Sequence, residues 1–351
     1  MTVGTADVDV DADVDADADA AAAAEANANA DAALALILRD LADTGYQFVT
    51  ATPLTHQRVL AHRNMQMGST LRDVFGWNMP FTRASCAAIR PELLAAMQCA
   101  NLLEQTGDVL QSRVRVSSLG RNLFVHSAYP TTQDDAVFFG PDTYRFAQFI
   151  QQGVSAGYLP TGLSIRILDV GCGSGAGGIA AVRALAKMAH LGPLELTMND
   201  INPLALQYTA VNAAFAKVAV KPALGDALRA VSGNFDLIVS NPPYLEDAAQ
   251  RAYRHGGAGL GRALSVRIAQ EAMSRLAPGG RLLLYTGVAI VNGVDAFLAD
   301  LQPLLNNQAF DASYSEIDPD VFGEELEQPA YAHVDRIAAV GLTVTRKLGG
   351  L

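Results

Sequence analysis

From about residue 136 onward the chain sets short apolar runs between segments of helix length, and this rhythm most narrows the folds open to it. The runs at 165–170, 194–199, 218–224, 235–240 and 281–286 are rich in Ile, Leu and Val. Parallel strands need a crossover of a dozen or more residues, usually a helix, so the alternation predicts a doubly wound α/β sheet. A further helix near 294–304 precedes two long apolar runs, 310–317 and 336–345, with no helical pattern between them. These predict an antiparallel pair that closes the sheet at seven strands.

Upstream the pattern differs. Residues 1–31 alternate Asp with Ala and Val and then run into alanines. A strand of that pattern would bury little and repel itself, so the segment reads as a disordered acidic tail, with transient helix in its Ala-rich part. Between 32 and 130 the residues Leu34, Leu36, Ile37, Leu38 and Leu41 make an apolar helical face, and Pro91 opens a helix carrying Leu93, Leu94, Met97, Leu102 and Leu103 that stops near Gly107. Two alternating runs, 113–116 and 123–126, follow across a turn-prone 117–122. Helices followed by a two-stranded wing predict a smaller winged-helix-like α+β domain. Lacking a helix rich in Arg and Lys, it reads as a platform for substrate docking or homodimerisation rather than a DNA reader. The catalytic part then spans 131–351.

Composition excludes some classes. No uncharged apolar run is long enough for a membrane helix, and the first residues lack the basic and apolar parts of a signal peptide, so a cytoplasmic address is expected. Cys86, Cys99 and Cys172 lie far apart, which suits free thiols, and neither they nor the histidines have metal-ligand spacing. The net charge is −11, yet nine of the 36 acids sit in residues 1–31, which hold no Lys or Arg. The other 27 acids nearly balance 25 bases, so charge does not choose between a protein and an RNA partner.

The first strand of the α/β region runs directly into Asp169-Val170-Gly171-Cys172-Gly173-Ser174-Gly175. A glycine turn at a strand's carboxyl end lets a ligand approach the backbone beside a helix N-terminus. The acid ahead of the turn suits a cationic ligand end, such as the ammonium of a methionine moiety, better than a diphosphate. The second strand ends at Asp200 and Ile201, where a carboxylate takes both hydroxyls of a ribose, while Asn202 caps the helix that Pro203 opens. After the third strand, Asp226 and Ala227 stand where an adenine amino group would be read.

Asn241, Pro242, Pro243 and Tyr244 follow the fourth strand. Two prolines hold the backbone extended and remove two donors, leaving carbonyl acceptors at the strand end. An amino group there donates one hydrogen to the Asn241 side-chain oxygen and one to the Pro242 carbonyl, while Tyr244 stacks on its plane. Accepting both hydrogens returns electron density to a delocalised lone pair, so a planar nitrogen becomes a nucleophile without a general base.

Taken together, DVGCGSG, NDIN, GDAL and NPPY resemble the Rossmann-like class I methyltransferases with a methyltransferase small domain, and within them the HemK-like N-methyltransferases. The resemblance covers roughly 136–346. It implies S-adenosylmethionine as cofactor, held by Asp169, Gly171, Cys172, Gly173, Gly175, Asp200, Ile201, Asp226, Ala227, Asn241 and Thr143, and catalysis by Asn241, Pro242 and Tyr244. The segment from Tyr253 to Leu260 is similar to the glycine-rich stretch after NPPY in that group, and Phe139-Gly140-Pro141-Asp142-Thr143 to the segment covering the methionine part. Where the group has Arg-Pro-Asp-Thr-Glu, this chain has Gly-Pro-Asp-Thr-Tyr. The acceptor implied is a protein glutamine or a nucleobase amino group, with a small metabolite or peptide natural product as the alternative. A regulator with a ligand-sensing second domain has no use for NPPY, and a nicotinamide-dependent oxidoreductase would need GxGxxG.

Other residues carry less. Among His126, His190, His255 and His333 only His255 falls near the acceptor motif; Phe138 and Phe139 border the cofactor segment, and Trp77 reads as N-terminal core.

Overall fold

A computed structural model describes residues 11–63, 66–155, 164–188, 192–251 and 253–348. The elements in chain order are α1 (Asp11–Asp43), α2 (Pro53–His62), α3 (Pro91–Cys99), the hairpin β1 (Leu103–Thr106) and β2 (Val109–Ser112), the hairpin β3 (Val114–Leu119) and β4 (Asn122–Ser127), and α4 (Pro141–Ser155). Next come β5 (Ile165–Val170), α5 (Ala176–Leu185), β6 (Leu194–Asp200), α6 (Pro203–Phe215), β7 (Val220–Leu224), β8 (Phe235–Ser240), α7 (Ala263–Ser274) and β9 (Leu276–Val291). The chain closes with β10 (Val294–Asp295), α8 (Ala296–Leu305), β11 (Phe310–Asp318) and β12 (Arg336–Arg346).

The expected sheet is present, in the order β11-β12-β9-β8-β5-β6-β7, with the two-residue β10 paired beside β9. From β9 to β7 all neighbours are parallel, and β12 runs antiparallel to both β9 and β11. Strands β5 and β8 match their expected limits. All six residues of β8 are buried, and in β5 only Arg166 is exposed, as a central strand covered by helices on both faces requires. On one face Ile165, Ile167, Leu237, Val239 and Leu283 pack under α4 and α5. On the other Leu168, Val170, Ile238, Leu282 and Leu284 pack under α7 and α8.

Two expectations for the N-terminal part need correction. The segment read as a disordered tail is helical from Asp11, and residues 1–10 lie outside the described part. Alanine is the strongest helix former, and Leu34, Ile37, Leu38 and Leu41 are fully packed, so a helix nucleated there propagates back through the alanines at little cost. The helix opened by Pro91 ends at Cys99, short of Leu102 and Leu103, because Asn101 takes a left-handed φ of 54°. An extra hairpin follows it. Its turn is Gly107-Asp108 between the alternating runs LEQT and VLQS, a pairing signal present in the residues. The β3–β4 hairpin forms, but its strands extend through most of the segment expected to turn: Leu119 lies opposite Asn122, so the turn is Gly120-Arg121 and not 117–122.

Helix α6 belongs to two cores at once. Ala205, Tyr208 and Val211 pack with α1, α3 and the hairpins, whereas Ala213 packs beneath the sheet. Between them Asn212 is fully buried; its Oδ1 accepts from Val125 N–H at 2.8 Å, and its Nδ2 donates to Val125 O at 3.0 Å and Ser174 O at 2.9 Å. Among the described residues no helix is long and apolar enough to cross a membrane.

Replacing Asn212 by Ala leaves those backbone groups buried and unpaired. We expect a loss on the order of 3 kcal/mol in unfolding free energy, read from urea midpoints at unchanged m. A loss below about 0.5 kcal/mol, the level of a neutral surface change, would mean the bridge contributes nothing.

Candidate active site

The parallel strands end together at one edge of the sheet, and a cleft opens above β5, β6 and β8. After β5 the chain turns through Gly171, Gly173 and Gly175, all at positive φ (67°, 54° and 79°), which side chains with a Cβ rarely adopt. Two bonds hold the turn against β6: Cys172 N–H donates to Asn199 O and Gly173 N–H to Asp200 Oδ2, each at 2.9 Å. Asp200 Oδ1 accepts from Asn202 N–H, and Asn202 caps α6 through Leu204 N–H, as the Asn-Pro pair implied. Ile201 projects beside this acid, 62% exposed and apolar, on the cleft rim.

Asp169 lies at the cleft floor, 1% exposed, with Gly178 N–H donating to its Oδ2 at 2.6 Å. Burial pushes its carboxyl up to about 7; the Gly178 bond opposes that rise and the nearby Asp200 charge adds to it. Asp200 is also raised, chiefly by burial. The floor therefore holds two carboxyls whose charge is under-compensated, an arrangement suited to a cationic or hydroxyl-rich ligand.

Asp226 and Ala227 are also on the wall, but Asp226 is engaged. Arg267 of α7 clasps both its oxygens at 2.8 and 2.6 Å and, with Arg229, holds its carboxyl below the usual range. No local pattern announces this partner, which lies 41 residues on. Thr143 and Cys172 line the cleft as expected. Gly175 does not; it caps α5 in a left-handed conformation, and its neighbour Ser174 takes the wall position.

Beyond β8, Asn241 and Pro242 stand on a wall shared between the cleft and an adjoining recess. Among the described residues nothing hydrogen-bonds the Asn241 side chain or the Pro242 carbonyl, so both acceptors are open. Tyr244 sits differently from the expectation. Its ring borders the recess, not the cleft, and is wedged against Gly287 of β9 and, 5.8 Å between centroids, Phe322. Its hydroxyl donates to Asp142 Oδ2. A Cβ on Gly287 would fall 2.1 Å from that ring, so glycine is what admits it.

The glycine-rich stretch after NPPY folds back on it: Leu245 N–H donates to Arg254 O, Gly256 N–H donates to Leu245 O, and a Cβ at Gly256 or Gly261 would strike the backbone of residues 243–245. His255 lies beside the acceptor motif as expected, bridged to Leu245, but it serves this loop, its Nδ1 accepting from Asp247 N–H, and borders neither cavity. Phe138 lines both cavities opposite Tyr253, their rings 7° from parallel, whereas Phe139 is core, stacked on the buried His126. Trp77 packs edge-on against Phe48 in the N-terminal core. His190 lies outside the described residues.

Residues 156–290 match the model of the family described as methyltransferase small domain. A release factor glutamine methyltransferase of Deinococcus radiodurans is 40% identical over 131 residues, 34% of this chain and 44% of that protein. A ribosomal RNA small subunit methyltransferase C of Pasteurella multocida is 38% identical over 117 residues, 33% of this chain and 31% of that protein. The chain thus spans less than half the length of these curated relatives. A solved ribosomal protein L11 methylase from Lactobacillus delbrueckii subsp. bulgaricus aligns with a TM-score of 0.38 at 18% identity, covering 60% of this chain and 84% of that one.

Replacing Gly287 by Ala forces the Tyr244 ring from a site it fills. We expect overpacking to cost about 1–3 kcal/mol, measured as a lower unfolding midpoint, and an unchanged midpoint would mean the ring has room to move.

Proposed function

We propose, from the premise that residues 156–290 form a methyltransferase small domain of the HemK-like class I group, that the chain transfers a methyl group from S-adenosylmethionine to a planar amide or amino nitrogen. The observation that carries this reading is the pair of open oxygen acceptors, Asn241 Oδ1 and Pro242 O, on the wall between cleft and recess.

The residues present fit the cofactor. Asp169 offers an under-compensated buried carboxylate to its ammonium, and Asp200 keeps free lone pairs for ribose hydroxyls beside the Gly173 bond. Ile201 supplies an apolar surface at the rim for the base, and Asp226, although clasped by Arg267, retains acceptor capacity. When bound, the cofactor supplies an electrophilic methyl on a sulfonium. The chain's own part is orientation: Asn241 Oδ1 and Pro242 O accept the two hydrogens of the acceptor's amino group and turn its lone pair toward the cleft. Walls of Phe138, Pro243 and Tyr244 keep water from the acceptor.

Both named relatives act on acceptors compatible with this grip, one on glutamine and one on ribosomal RNA, so the acceptor is a protein glutamine or a nucleobase amino group. The part at 32–130 serves as a docking platform. In support, Tyr253 of the recess loop donates through its hydroxyl to Thr131 O, in the linker between the two parts, at 2.5 Å. Incubating the protein with methyl-labelled cofactor and the separated protein, RNA and small-molecule fractions of a lysate identifies the acceptor class.

Replacing Asn241 by Ala is expected to slow transfer at least about a hundredfold while calorimetric affinity for S-adenosylmethionine holds. An equal loss of affinity would place Asn241 among the residues that hold the cofactor or the fold and not at the acceptor nitrogen. Cofactor binding also acquires a pH dependence. With Asp169 near 7 in the free protein and lowered beside an ammonium, binding is strongest above pH 7 and weakens as pH falls through 7. Between pH 8 and pH 6 the Kd should rise about tenfold, and the Asp169→Asn variant should show a flat profile. A flat profile in the unaltered protein would show that Asp169 does not meet the cation.

A further inference from the structure

The first turn of α4 touches both cavities with consecutive residues: Asp142 lines the acceptor recess and Thr143 the cofactor cleft. Asp142 is 2% exposed, and a carboxylate so placed is costly unless its lone pairs are filled. Three donors fill them. Tyr244 donates to Oδ2, Tyr285 of β9 donates to Oδ1 at 2.8 Å, and Arg145 reaches Oδ1 at 3.0 Å while its other terminal nitrogen pairs with Asp318 at 2.7 Å. Tyr285 and Arg145 compensate the charge. Tyr244 is the one donor that also borders the recess and continues directly from Asn241, Pro242 and Pro243.

Resting on the methyl-transfer reading, we propose that Asp142 is the positioning residue of the acceptor recess. It anchors the Tyr244 hydroxyl and, through that ring, holds the two acceptors of Asn241 and Pro242 at the wall facing the cleft. The ring is packed in the core and meets Gly287 and Phe322 on its sides, and its hydroxyl bond ties its far end to α4. Because Asp142 neighbours Thr143, the anchor belongs to the same turn that borders the cofactor, so both substrates are registered against one rigid element. Asp142 itself neither donates nor accepts a proton in this role.

The test uses the full chain and four variants: Asp142→Asn, Tyr244→Phe, Tyr285→Phe and the Asp142→Asn/Tyr244→Phe double. Each is titrated calorimetrically with S-adenosylmethionine and then given methyl-labelled cofactor with the lysate fraction that the unaltered protein labels. All should bind cofactor with unaltered affinity. Asp142→Asn and Tyr244→Phe should each slow transfer about tenfold, the worth of one hydrogen bond to a charged group, and the double should be no slower than the slower single. Tyr285→Phe removes a buried bond to the same carboxylate yet leaves Tyr244 anchored, so it should slow transfer by no more than about threefold. Unchanged transfer in Asp142→Asn, losses that multiply in the double, or a Tyr285→Phe loss equal to that of Tyr244→Phe would each overturn the proposal. So would cofactor affinity that falls with transfer. Should Asp142→Asn not fold, the comparison of Tyr244→Phe with Tyr285→Phe decides alone. An unaltered protein that binds no cofactor and labels no fraction overturns the methyl-transfer reading itself, an outcome separate from any pattern among variants.

Discussion

Strands β5 and β8 lie side by side at the centre of the sheet, and β8 has no exposed residue along its length. A backbone so enclosed satisfies its polar groups by ladder bonds to its neighbours, which leaves its ends as the only places where polar side chains meet solvent or ligand. Chemistry is thereby gathered at the carboxyl ends of the parallel strands, where two neighbouring loops, the glycine turn after β5 and the Asn-Pro-Pro-Tyr segment after β8, meet Asp200 of β6 and Asp226 beyond β7. Ser240, the last residue of β8, donates through its buried hydroxyl to Val170 O at the end of β5, so the two loops leave the sheet from a common fixed point.

Much of this was legible in the residues. Strands covered on both faces are predominantly apolar runs, and the limits of β5 (IRILDV) and β8 (FDLIVS) follow from them. Asn202 and Pro203 announced the start of α6, and the positive φ values of the glycine turn follow from its composition. Contacts between distant segments were not legible. Tyr244 meets Asp142 across 102 residues, and Asp226 meets Arg267 across 41; no local pattern encodes either. As a consequence two roles drawn from motif position shifted: Tyr244 is braced rather than free to stack, and Asp226 shares its carboxylate. The β1–β2 hairpin is a different kind of miss. Its Gly-Asp turn was in view, but the apolar pair Leu102 and Leu103 extended the helical pattern past the point where Asn101 ends it.

Electrostatics set the cofactor-side floor apart from the acceptor side. Asp169 and Asp200 are both raised by burial, whereas Asp247, clasped by Arg251 in the recess loop, is held down to about 2. The loop's charges are matched within the chain and the floor's are not. Residual polar need in a folded protein marks where a ligand gains most, because the ligand supplies what folding left unmet.

Helix α6 gives the molecule a further property. One side of it is covered by the N-terminal helices and hairpins and the other by the sheet, with Asn212 stitched to both. Cutting the chain near residue 131 would uncover Ala205, Tyr208 and Val211 as an apolar stripe and free the carbonyl of Ser174 in the glycine turn. The leading third of the polypeptide is accordingly no detachable accessory; the glycine turn and α6 are held in part by contacts that it supplies.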